Sequence, residues 1–114
     1  MFNFREMFKS QVDQEVLFAL SWKVPDSLDI VINESDGSYF AKITSFANDN
    51  VVTQANTGLE LVEMVNEALY DYLEVPSQYR RELGFFLPSP EQREELKIKI
   101  PKKYLNKKVG LVKA

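Results

Sequence analysis

Two alternating runs separated by an Asp-Gly pair, followed at once by a capped one-sided helical pattern, restrict this chain more than any other feature. Leu28 to Asn33 carries Ile30, Val31 and Ile32 in a row, β-branched residues that suit a pleated, half-buried strand. Glu34-Ser35-Asp36-Gly37-Ser38 is turn chemistry: Asp and Ser favour its opening and Gly supplies the positive φ of a short hairpin. From Tyr39 to Phe46 the pattern alternates, with Tyr39, Ala41, Ile43 and Ser45 on one face and Phe40, Lys42, Thr44 and Phe46 on the other. An antiparallel pair follows. Residues 47–50 mark a second turn, and Val51 to Gln54 a short third strand.

Thr57, with Glu60 three residues on, reads as a capping box: the hydroxyl takes a free N–H of the first turn and the carboxylate reaches back to the cap's own N–H. Leu61, Val62, Val65, Ala68, Leu69, Tyr72 and Leu73 then recur at steps of three and four, which gathers them on one buried face. Pro76 cannot continue a helix, so it ends near Glu74. The expected class is therefore α+β: a three-stranded antiparallel sheet packed by a long amphipathic helix. The helix's far side carries Glu60, Glu63, Glu67, Asp71 and Glu74, with no Lys or Arg between Gly58 and Val75. Such a row is either a solvated face or a surface awaiting a basic partner.

The flanks add a helix before this core and a strand after it. Phe4, Phe8, Val12, Val16 and Leu20 at steps of four predict a helix over 2–20, although Val16 to Trp22 is apolar enough for a buried strand and periodicity alone does not separate the two. Trp22 is expected to pack where this element meets the sheet. After Pro76, residues 77–83 suit a short helix closed by Gly84. Phe85-Phe86-Leu87-Pro88 either packs against the sheet or first helix, or forms an exposed patch for a partner or a second copy. Ser89-Pro90-Glu91-Gln92 opens another helix. Leu96-Lys97-Ile98-Lys99-Ile100 alternates strictly and reads as a strand ended by Pro101, after which the Lys-rich end is expected to be loose. One domain results, with a core at 28–75, an extension at 1–27, further elements at 76–101 and a basic tail at 102–114.

Composition narrows the chemistry. The chain has neither cysteine nor histidine, which removes disulfides, thiolate sites and the commonest general base and metal ligand at neutral pH. The four glycines stand apart, so no phosphate-cradling loop is present. Glu34, Asp36 and Asp49 could bind a hard cation, but turn geometry wants those residues anyway. No cofactor, metal site or catalytic residue is assigned. No apolar run is long enough to span a bilayer and no secretory leader is seen, which points to a soluble, cytoplasmic protein. The net charge of −3 divides into −10 over residues 1–96 and +7 over residues 97–114. Three roles are open to such a tail: folding onto the acidic face, touching nucleic acid, or only keeping the chain soluble. Arg80, Arg81, Lys102 and Lys103 are the candidate phosphate contacts of an RNA-binding reading, against which stand a pI near 5.0 and the acidic helix. Leu96 to Asn106 looks like the opening of a ribbon-helix-helix unit, but only 13 residues follow Pro101, too few for two helices. No complete DNA-reading unit is encoded.

The order Ile30-Val31-Ile32-Asn33, Ser35-Asp36-Gly37, Tyr39-Phe40-Ala41-Lys42-Ile43, Val52-Thr53-Gln54, then Thr57 heading a helix that ends Glu67-Ala68-Leu69-Tyr70-Asp71-Tyr72-Leu73-Glu74 resembles the HicB-like antitoxins. The likeness covers residues 28–74. It implies a degenerate ribonuclease-H-like fold without nuclease activity, whose members cover a small basic RNA-cleaving toxin. The expectation is a non-enzymatic binding protein, with Glu60, Glu63, Glu67 and Asp71 supplying charge and Phe85 and Phe86 an apolar contact. The alternative is a homo-oligomer that pairs through the aromatic segment or the Leu96-to-Ile100 strand.

Overall fold

The structure, a computed structural model, describes residues 12–114. In chain order the elements are α1 (Gln14–Ser21), β1 (Ser27–Ser35), β2 (Ser38–Ile43), β3 (Val51–Ala55), α2 (Gly58–Tyr72), α3 (Ser77–Leu83), β4 (Phe86–Leu87), α4 (Pro90–Leu96), a 3-10 turn (Lys102–Tyr104) and β5 (Lys108–Lys113). The class is α+β, as expected, but the sheet has five strands rather than three, in the order β3-β2-β1-β5-β4. Every pair is antiparallel.

The hairpin forms where its turn chemistry places it. Asp36 and Gly37 adopt φ of 50° and 79°, and Ser35 pairs with Ser38, the two-residue turn whose twist matches its strands. With that register set, Leu28, Ile30 and Ile32 of β1 and Tyr39, Ala41 and Ile43 of β2 share the buried face. Leu61, Val65 and Leu69 of α2 complete this core.

At the start of α2 the Thr57 hydroxyl accepts from Glu60 N–H at 3.1 Å, while the reciprocal half of a capping box is made at Ser89 and Gln92 of α4 instead. The helix ends in a Schellman pattern. Val75 N–H donates to Tyr70 C=O at 2.9 Å and Glu74 N–H to Asp71 C=O at 3.1 Å, with Glu74 at φ 56°. This left-handed position favours glycine. Glu74→Gly is accordingly expected to stabilise the protein by about 0.5–1 kcal/mol, read as a rise in the urea midpoint at unchanged slope.

The C-terminal third differs most from expectation. Residues 108–113, expected to be loose, form β5, inserted between β1 and β4. Val109 and Leu111 are buried in it, and their two-residue alternation was hidden among lysines. Leu96 to Ile100 is not a strand. The capped helix α4 runs through Leu96, so Leu96 and Ile100 are buried while Ile98 is 86% exposed. Neither the ribbon-helix-helix comparison nor self-pairing through that segment therefore has a strand to rest on.

At the other end, Val16 to Trp22 is helical rather than extended, with Asp13 accepting from Glu15 and Val16 N–H. Trp22 does not pack against the sheet: it is 78% exposed and meets Phe18 edge-on at 6.0 Å. Phe4 and Phe8, which belonged to the expected helix, lie outside the described residues. Among the described residues, no helix is long and apolar enough to cross a membrane.

Candidate functional site: a groove between α2 and α3

After α2 the chain turns at Glu74, φ 56°, and the extended Pro76 then caps α3. Between the two helices runs a groove of about 420 Å³ lined by Glu63, Asn66, Glu67 and Tyr70 of α2, Arg80 and Arg81 of α3, and Gly84-Phe85. It unites five residues singled out in the sequence: Glu63, Glu67, Arg80, Arg81 and Phe85.

Its floor is held by two polar side chains on α2. Asn66, the one buried polar residue among those described, donates from its amide nitrogen to Val62 C=O and to Phe86 C=O, both at 2.9 Å, and accepts from Phe86 N–H at 2.6 Å. The amide thus imitates a neighbouring strand for the first residue of β4. Strand alternation then sends Phe86 into the core and leaves Phe85 at the groove, 39% exposed. Tyr70 donates its hydroxyl to Gly84 C=O at 2.5 Å. Burial raises the phenol's pKa, partly offset by the Arg80 cation, so at neutral pH the hydroxyl remains a donor.

Arg80 closes one end. Its Nε donates to Val75 C=O at 2.9 Å and its Nη2 pairs with Asp71 at 2.8 Å, while its guanidinium lies 6.0 Å from the Tyr70 ring centre. A cation fits the carbonyl end of α2. The exposed pair itself contributes under about 1 kcal/mol.

The candidate residues therefore divide. Phe86 is fully buried and cannot act as a surface contact, because the Asn66 clamp turns it inward. Asp71 is neutralised by Arg80, and the same pairing commits Arg80 internally rather than to a phosphate. Among the described residues the ion pairs are Arg80–Asp71 and Lys103–Glu95. Glu60, Glu63, Glu67 and Arg81 are exposed and outside both. Lys102 and Lys103 belong to the 3-10 turn and line no part of the groove. Lys103 and the Tyr104 hydroxyl both donate to Glu95, and these bonds hold its carboxyl below the usual range.

Asn66 and Tyr70 were missed in the sequence. The available signal was an Asn lying inside an apolar helical stripe between Val62, Val65 and Leu69, a position that calls for a defined hydrogen-bond partner. The carboxylates considered for a cation do not assemble: Asp49 accepts from Tyr72 at 2.5 Å, and among the described residues no group of three acidic side chains is placed to hold a metal.

Chemically the groove offers the half-exposed Phe85 ring, the Glu63 and Glu67 carboxylates one helical turn apart and the Arg81 guanidinium, with none of these three charged groups in an ion pair among the described residues. The two carboxylates beside Phe85 suit a long cationic side chain, with its stem on that ring and its charge at Glu63 and Glu67. Searches for a matching family model, a characterised relative and a similar solved structure return no match.

Proposed function

We propose that this chain is a non-enzymatic binding protein that holds a small basic protein against the exposed face of α2 and the adjoining groove, the role that a HicB-like antitoxin has towards its toxin. The observation that carries the reading is the state of Glu63 and Glu67. They stand exposed at the rim of the groove beside Phe85 and make no ion pair among the described residues, whereas Asp71 on the same helix is already paired. A partner's Lys or Arg side chain entering there would gain a carboxylate pair together with contact on Phe85. Glu60, further along the face, extends the field that steers such a partner.

The test is co-expression with short basic proteins encoded next to this gene, followed by titration calorimetry at low and high salt. Reversing Glu63 and Glu67 to lysine is expected to weaken the complex at least tenfold at low salt, equivalent to about 1.4 kcal/mol, with a smaller loss at high salt as screening removes the contribution. Phe85→Ala should weaken it with little salt dependence. An affinity untouched by the charge reversal would remove the reading.

A further inference from the structure

We propose that two copies of this chain join edge to edge through β3, extending the five-stranded sheet to ten strands around a two-fold axis at Thr53. An open sheet has two edges, and here they are treated differently. β4 is two residues long and runs straight into Pro88, which has no N–H to offer. β3 is five residues long, pairs with β2 on one side, and has no strand on the other among the described residues.

Free edges are normally blunted by charge, proline or a bulge. β3 lies inside the longest uncharged stretch of the sequence, residues 50–59, and contains no proline. It is also self-complementary. Antiparallel pairing centred on Thr53 sets Val52 opposite Gln54 of the second copy on the open face, and Val51 opposite Ala55 on the core face. No charge meets a like charge.

A second surface supports the same occupant. α2 packs over β3 and β2, and its other flank lines the groove that it shares with α3. Met64 and Ala68 lie on the opposite flank, turned roughly 100° or more from Glu63 and Tyr70 by the helical repeat; Tyr72 on that flank reaches Asp49 in the β2–β3 loop. Both are only half-buried. Because α2 lies over both β3 and β2, each helix sits about one strand spacing from the new axis; the two come about 10 Å apart, a packing distance, so Met64 and Ala68 of each copy would meet. The groove faces away from the axis, and a dimer would present two.

Sedimentation equilibrium of the whole chain at about 100 µM, well above a micromolar dissociation constant, is expected to give the mass of a dimer. Val52→Lys with Gln54→Lys places lysines opposite lysines and should weaken association about 100-fold. Mixing that variant with Val52→Glu/Gln54→Glu should restore dimers. The chain has no cysteine, so Thr53→Cys reports the axis independently: mild oxidation should give a covalent dimer, whereas Lys97→Cys should not. A wild-type monomer at this concentration, a dimer indifferent to the lysine pair, or no Thr53→Cys cross-link overturns the proposal. Each outcome leaves the groove's affinity for a basic partner to be judged separately.

Discussion

Gly58→Ala should cost about 3 kcal/mol or more, or leave no folded protein, although helix propensity alone predicts a gain of roughly 1 kcal/mol from the same change. Gly58 opens α2 where it crosses the end of α4. A Cβ built there would lie 2.7 Å from the carbonyl carbon and 2.9 Å from the Cα of Leu96. Both are main-chain atoms, so no side chain can swing aside; α4 itself would have to move, and Leu96 is buried in the core. Overpacking of this kind lies at the upper end of what single substitutions do. Gly110→Ala is the matched control, since nothing lies within 4 Å of its built Cβ and its φ is not positive. Urea denaturation of the two variants should separate them widely, and a stable Gly58→Ala protein would mean that α2 and α4 do not cross as described.

Removing the Asn66 amide is the other large effect. Asn66→Ala would strip the Phe86 N–H and C=O of the partners they now have, and each buried orphan costs about 1–3 kcal/mol. A total near 3 kcal/mol is expected. Hydrogen exchange at the Phe86 amide should speed up first, because that amide loses its acceptor directly. Asn66→Asp keeps an acceptor for Phe86 N–H but points a carboxylate at the Val62 and Phe86 carbonyl oxygens that the amide nitrogen now serves. Folding then favours the protonated acid, so the variant's folded pKa rises above an unfolded value of about 3.9. Its deficit against wild type should therefore be small below about pH 4 and grow as pH rises through the folded pKa. Urea midpoints at acid and neutral pH measure this, and a pH-independent deficit would contradict the geometry. Both variants should also displace Phe85 and so weaken any ligand of the groove.

The contrast between Glu63 and Asp71 shows how local the functional reading is. Both sit on one exposed helical side and look equivalent in the sequence. Arg80 pairs with Asp71 alone, because its Nε bond to Val75 C=O holds the guanidinium at the last turn of α2. A charge row that seemed uniform thus becomes one neutralised end and one available end, and the available end borders the groove. Phe85 and Phe86, also equivalent in sequence, are separated in the same way by one step of strand alternation and the Asn66 clamp.

From the residues alone, the hairpin, the third strand and α2 were legible, although β2 ends at Ile43 rather than Phe46, because each rests on local chemistry: an Asp-Gly turn that needs positive φ, side chains that alternate with period two, and a cap before a stripe of period near 3.6. The acidic face was legible for the same reason. β5, the burial of Phe86 and the partner of Asp71 were decided only by tertiary structure. Val109 and Leu111 make a strand because β1 offers an unpaired edge with a buried face beside it, a pairing across some 80 residues of chain that no short-range pattern records. Local periodicity encodes which side of an element is apolar; what that side meets depends on how the elements pack together.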